Sequence, residues 1–307
     1  MEQHTVVLMS TYNGQQYLAE QLDSIMEQTY RGQITVLIRD DGSRDVTQEI
    51  AMRYPQDGDS KVVFTQAKNV GPQRSFLELI RTAPKADYYF FADQDDVWDA
   101  DKFAVATEAM AQYDEPVCWC SNFRHSHMDL TIYEEKALAK PPVFTPLQII
   151  FYNQIPGCVM GFNGKLMELL QQLELEDCMM HDSLALALAA ACGRVIYDEQ
   201  PRITHRIHMR NVVGHGHKKI VLHKWIPEKL KLLLHKERYD LSEMAGQFLK
   251  VAGDTIHPEY RDDIVLLRDF KTSRAKTNEL LRHRDTQGDL RDRTVLSIRS
   301  KIFFRLF

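Results

Sequence analysis

Three carboxylates within four residues, Asp93, Asp95 and Asp96, follow the apolar run Tyr88 to Phe91 in the stretch YYFFADQDDVW. Such charges repel one another unless a cation or bulk water compensates them. A hard divalent ion such as Mg²⁺ or Mn²⁺ suits them, since it takes oxygen ligands and keeps sites open for substrate phosphates. The plain alternative is an acidic surface turn. Two more polar loops weigh against it. Ser10, Thr11 and Tyr12 follow the apolar run Thr5 to Met9 and offer hydroxyls and an aromatic face to a base and ribose. Asp41, in Arg39-Asp40-Asp41-Gly42-Ser43, is an acceptor for the N3–H of a uracil or thymine ring. A turn leading into a helix cap accounts for Asp40 and Asp41 equally well on local grounds. Three polar loops converging on one edge fit a nucleotide-diphosphate cleft better than three unrelated turns.

Other residue types extend the set. His205, Arg206 and His208 follow a short strand and offer cationic or metal-ligating contacts to a diphosphate. Asp96 and Trp98 are further candidates for diphosphate or acceptor contact. Pro72, Gln73 and Arg74 either touch the nucleotide or simply start a helix, and the second reading is favoured. Asp182 heads an apolar run and reads as a cap or as a functional carboxylate at the mouth of a sheet.

These residues need a scaffold, and the patterning supplies one. Thr5 to Met9, Gln33 to Ile38, Lys61 to Thr65 and Tyr88 to Ala92 read as strands, the last buried on both faces. Gln15 to Thr29 and Pro72 to Thr82 have apolar residues at helical spacing. Strands alternating with helices predict an α/β fold with parallel βαβ units. Open parallel sheets bind ligands beyond the carboxyl ends of their strands, where the acidic loops fall. Further on, Lys102 to Tyr113 reads as a helix, Val117 to Ser121 as a strand, and Met128 to Val143 as a loop. Gly157 to Phe162 reads as a strand, Lys165 to Leu173 as a helix, and Ser183 to Cys192 as a buried helix. From Val221 onward the pattern is helical and basic, with Trp225, Leu230, Leu233 and Leu234 on one side.

Composition narrows the class. The 307 residues are 44% hydrophobic and 26% charged, as in ordinary globular proteins. The formal net charge of −5 gives no reason to expect nucleic acid as a partner. Residues 1–216 carry about 18 basic against 30 acidic side chains, and residues 217–307 about 20 against 13, so the basic end suits an acidic surface. Five cysteines without framework spacing indicate a reducing, cytoplasmic setting, and Cys118 and Cys120 read as core thiols. No signal peptide or membrane span is expected, so membrane contact would be peripheral. The last residues, TVLSIRSKIFFRLF, pack on their own domain or a second subunit, or lie on the cytoplasmic leaflet.

The runs VVLMSTYNGQQYLAEQLDSIMEQTY, IRDDGSRDVT and FFADQDDVW, in this order, resemble the family 2 glycosyltransferases over roughly residues 5–215. The resemblance implies a GT-A fold, Rossmann-like with a mostly parallel sheet flanked by helices, here as residues 1–216 with a helical extension, 217–307. It implies that Asp41 binds the nucleobase, that Asp93 and Asp95 form a DXD motif, and that Asp95 holds Mg²⁺ or Mn²⁺ on the diphosphate. Asp182 in MMHDSLAL matches the carboxylate base of inverting members. Glu-Asp or Gly-Asp is more usual there, so His181 is a departure. DQDDVW with THRIHMRNVVG is similar to the bacterial rhamnosyltransferases of cell-wall polysaccharides and O-antigens. That implies dTDP-β-L-rhamnose as donor and a polyprenyl-diphosphate-linked glycan as acceptor, with UDP-glucose, -galactose or -N-acetylhexosamine as alternative donors. A haloacid-dehalogenase-like phosphatase would place a nucleophilic Asp after its first strand, where this chain has Ser10-Thr11-Tyr12. A non-catalytic nucleotide-sugar-binding protein would have no need of Asp93, Asp95 and Asp182 together.

Overall fold

The computed structural model describes residues 3–177, 179–208, 239–287 and 293–306. Cys178, Phe307, residues 209–214 of the THRIHMRNVVG motif, the 216/217 boundary, and Val221, Trp225, Leu230, Leu233 and Leu234 lie outside them.

Val6 to Met9 are fully buried, as the middle of a strand covered on both faces must be. They form the centre of β1 (His4–Thr11), followed by α1 (Leu18–Met26), β2 (Gln33–Asp40), α2 (Thr47–Ala51), β3 (Ser60–Gln66), α3 (Pro72–Thr82) and β4 (Tyr88–Ala92). β1 lies between β2 and β4 and is parallel to both, and β3 is parallel to β2. The expected βαβ units are therefore present. The first helix begins at Leu18 rather than Gln15, because Asn13 adopts a left-handed backbone and the Gly14 carbonyl accepts the N–H groups of Tyr17 and Leu18 in a turn.

The rest of the sheet is mixed. β5 (Val97–Trp98), α4 (Lys102–Met110), β6 (Val117–Ser126), β7 (Ile132–Glu134), α5 (Pro146–Tyr152), β8 (Met160–Asn163), α6 (Gly164–Gln171), α7 (His181–Cys192) and β9 (Arg194–Arg206) follow in turn. The strand order is β3-β2-β1-β4-β8-β6-β9-β5, with β7 beside β6. β8 runs antiparallel to both β4 and β6, whereas β9 is parallel to β6. Two expectations are corrected. Gly157–Val159 is a 3₁₀ turn, so the strand starts only at Met160. The stretch from Met128 to Val143 contains β7, which folds back on β6 as a hairpin. Cys118, Cys120, Cys158 and Cys192 are buried, unoxidised thiols.

Among the described residues four helices follow β9: α8 (Leu241–Ala252), α9 (Pro258–Asp269), α10 (Arg274–Arg282) and α11 (Arg293–Phe304). They dock on the sheet-bearing part of the chain. The His257 N–H bonds the Ala191 carbonyl at 2.8 Å, and the Thr145 hydroxyl donates to Asp285 at 2.7 Å. Val295, Ile298 and Ile302 of α11 are buried, so much of the tail packs on its own chain. Among the described residues no helix is long and apolar enough to cross a membrane.

Lys102 is fully buried where α4 begins. Its Nζ donates to the Cys158 carbonyl at 2.6 Å and stands 3.4 Å from the centroid of the Trp98 ring. Burial pulls the ammonium down to about 7, against the opposing pull of Cys158 and Asp96. A group that loses its proton more easily when folded makes the unfolded state bind more protons above that pKa. Stability should therefore rise with pH between about 7 and 9 through this residue, and Lys102→Met should flatten that part of the profile. Urea unfolding of both proteins across the range measures it; parallel profiles would refute the account.

Candidate active site

The loops after β1, β2 and β4 meet in a cleft of about 410 Å³. Within the first loop the hydroxyls differ in position. Ser10 Oγ bonds Ser75 Oγ at 2.6 Å, Thr11 is buried and donates to Asp40 at 2.9 Å, and Tyr12 stands half exposed at the rim. The adjacent Asp40 and Asp41 divide their work. Asp40 accepts the N–H groups of Gly42 and Ser43 and so shapes the turn. Asp41 lines the cleft, accepts the N–H groups of Val70 and Gly71 at 2.9 Å each, and takes the Arg39 guanidinium at 2.6 Å. It thereby fixes the loop from which Pro72 starts α3, with Gly71 at φ 85°, a value glycine adopts without strain. Pro72 touches the cleft, whereas Arg74 forms a two-point pair with Asp177.

The acidic loop is less open than the sequence implies. Asp95 is only 8% exposed, and its carboxylate lies 2.8 Å from His208 Nε2. Asp93 faces the cleft; burial and then the charges of Asp96 and Asp95 push its carboxyl up to about 7. Asp96 lies beneath, fully buried, accepting from His205 Nδ1 at 2.8 Å and the Arg206 N–H at 3.2 Å. Burial works to lower the His205 imidazolium, but Asp96, Asp93 and Asp95 hold it up at about 9. Asp96 itself stays below the usual carboxylate range: burial opposes this, and His205 outweighs it. Its second oxygen has no hydrogen-bond partner among the described residues. An unsatisfied buried carboxylate oxygen and a carboxyl raised by burial and then by like charge describe a cluster short of positive charge. Oxygen and imidazole donors of this kind fit a divalent cation.

Two of the candidates point elsewhere. The Arg206 guanidinium is buried over the Tyr17 ring at 4.4 Å and pairs with Glu20 at 2.5 Å. Trp98 packs against Phe90 and Phe103 in the core. His205 lines the cleft, and His208 stacks on Tyr17 at 5.2 Å beside Asp95.

Across the cleft, Asp182 occupies the first turn of α7 and accepts the Ser183 N–H at 2.5 Å. Burial raises its carboxyl to about 6, against the hydrogen bonds from Ser183. It does not cap the helix, whose cap position is Met180. Sequence reasoning passed over the wall behind it. His181 stacks on Phe76 with centroids 3.6 Å apart and meets Phe91 edge-on at 4.5 Å. Burial drives its imidazole down to about 3, so the ring is neutral. A Cβ on Gly157 would stand 2.4 Å from His181 Nε2, so glycine there leaves room for the ring. The signal in the sequence was the unusual dipeptide His181-Asp182.

Comparison with known proteins follows the same lines. The model of glycosyl transferase family 2 matches residues 6–173. The dTDP-rhamnosyl transferase RfbG of Shigella flexneri is 27% identical over 220 residues, covering 67% of this chain and 73% of that protein. The structure of S. aureus TarS 1–349 in complex with UDP-GlcNAc superposes with a TM-score of 0.56 at 15% identity, covering 97% of this chain and 79% of the other. The mannosyltransferase PcManGT from Pyrobaculum calidifontis, in complex with GDP-Man and Mn²⁺, gives 0.51 at 18% identity over 98% and 75%. With the mixed sheet, its flanking helices and the cleft at the strand ends, these matches settle the classification: the chain belongs to glycosyl transferase family 2 and is a glycosyltransferase of the GT-A fold.

Proposed function

We propose that the enzyme transfers L-rhamnose from dTDP-β-L-rhamnose, with inversion, to a glycan acceptor in cell-surface polysaccharide synthesis. The observation that carries the reading is that Asp93, Asp95 and Asp182 line one cleft, with Asp182 held at about 6. The likeness to RfbG supports rhamnose. A UDP-sugar of glucose, galactose or an N-acetylhexosamine is the alternative, because a carboxylate at Asp41 accepts from uracil and thymine alike.

In this reading Ser10, Thr11 and Tyr12 receive the nucleoside and Asp41 reads the base. Asp93 and Asp95, with His208 beside Asp95, are the residues to hold Mg²⁺ or Mn²⁺. When bound, the ion offsets charge building on the leaving diphosphate. His205 adds fixed positive charge beside the same carboxylates. Asp182 takes the proton of the acceptor hydroxyl as that oxygen bonds to the anomeric carbon. The bond from that carbon to the diphosphate breaks on the opposite face, and the nucleotide leaves with the electron pair. The acceptor is a glycan on polyprenyl diphosphate, reached at the cytoplasmic leaflet. α11 suits this: Phe303 and Phe304 are exposed on the helix whose other side is buried, beside Lys301 and Arg305. Pairing of two copies through the same aromatics is the competing use of that surface.

Changes at Asp95, Asp182, Asp41 and the Phe303–Phe304 pair test the proposal. Asp95→Ala should abolish transfer and the thermal shift that Mn²⁺ with dTDP gives the wild type; full turnover by the variant with EDTA present would refute the metal role. As a base, Asp182 must be unprotonated, so kcat/KM should fall about tenfold per pH unit below about 6. Asp182→Asn should lose transfer while retaining donor binding by calorimetry, and a variant that keeps transfer would reassign Asp182 to structure. Asp41→Asn should weaken dTDP and UDP binding by about 1–3 kcal/mol and leave GDP binding unchanged; an equal loss for all three would mean that Asp41 only shapes its loop. Phe303→Ser with Phe304→Ser should fold normally and sediment at least tenfold less with anionic liposomes. A change from dimer to monomer with liposome binding intact would favour the competing use.

A further inference from the structure

The β6–β7 hairpin carries groups that the donor side of the cleft does not use. His205, on the cleft wall, stands across from His125 in the β6–β9 ladder, with ring centroids 5.9 Å apart. His125 lies across from Glu134 and meets its carboxylate at 2.7 Å. Its ring stacks on Tyr133 at 6.0 Å and 26°, and His127 leans on the same tyrosine at 4.8 Å. Tyr133 is 51% exposed, so a row of flat rings runs from the cleft out to solvent. The row is pinned in place. Asn122 bonds both the N–H and the carbonyl of Leu138, and the His127 N–H bonds the Thr131 carbonyl.

Charge selects the occupant. Residues 128–136, MDLTIYEEK, contain Asp129, Glu134 and Glu135 against the single Lys136, a net charge of −2. The nearby Arg124 is engaged by Asp99 at 2.9 Å and reaches Glu135 at 3.7 Å. Phosphate-bearing ligands would meet like charge there. An uncharged sugar ring meets what it needs: an aromatic face for its C–H face and carboxylate oxygens for its hydroxyls.

We propose that this hairpin is an acceptor ledge, on which Tyr133 and the His125–Glu134 pair hold uncharged sugar residues of the glycan as its terminal hydroxyl enters the cleft. The proposal rests on the transferase reading above and adds a subsite to it.

The probe is a ladder of neutral oligosaccharides from partial acid hydrolysis of a rhamnose-containing polysaccharide, with binding followed by saturation-transfer NMR. Wild type and Tyr133→Phe should bind the ladder, Tyr133→Ala should bind it at least tenfold more weakly, and dTDP with Mn²⁺ should raise the Tm of all three alike. Oligosaccharide binding that ignores Tyr133→Ala, or no binding by the wild type, would overturn the ledge. So would a Tyr133→Ala variant that instead loses anionic liposomes. Wild-type protein that binds the ladder through Tyr133 yet hydrolyses no dTDP- or UDP-sugar would support the ledge and sink the donor reading.

Discussion

Three carboxylates gathered at the end of one fully buried strand cannot all stay ionised without positive charge close by. Tyr88 to Ala92 are buried throughout, so the loop they deliver has little water behind it. Much of the site answers to this constraint. Asp96, the innermost, is compensated by His205, and Asp95 has His208 against it. Asp93 faces the cleft and is raised to about 7, the mark of a site with charge still to be balanced. In the proposed reading a divalent cation would supply the missing positive charge.

The same constraint explains why the far end of β9 matters so much. His205 is separated from Asp96 by 109 positions and comes to it because β9 pairs with β5 on one side and β6 on the other. Arg206 alternates to the opposite face, as the two-residue period of a strand requires, and its buried guanidinium there braces α1 through Glu20 and Tyr17. Neighbouring residues of one short motif thus serve the cleft and the core respectively.

The opposite wall is built on apolar contact. His181 is neutral because it is buried between aromatic rings, and it anchors the start of α7 where Asp182 emerges. The carboxyl of Asp182 is raised by burial alone, with no acidic neighbour needed. The two sides of the cleft therefore shift their carboxylates by different physical means, like charge together with burial on one side and burial by itself on the other.

The local pattern was enough to read β1 to β4, their parallel pairing and the three polar loops at one edge, because buried parallel strands write continuous apolar runs and turns write Gly, Asp and Ser. It also placed Asp182 at the head of a buried helix. Tertiary structure alone decided which neighbour does what. Asp40 and Asp41 stand side by side in one acidic turn, yet Asp40 holds that turn while Asp41 also fixes the Val70–Gly71 loop at the cleft. The β7 hairpin, the 3₁₀ turn at Gly157 and the inward packing of Ile298 and Ile302 likewise depend on partners far along the chain. Charge compensation, strand pairing and ring stacking act between residues that sequence separates by tens of positions, and only the fold brings them within a few ångströms.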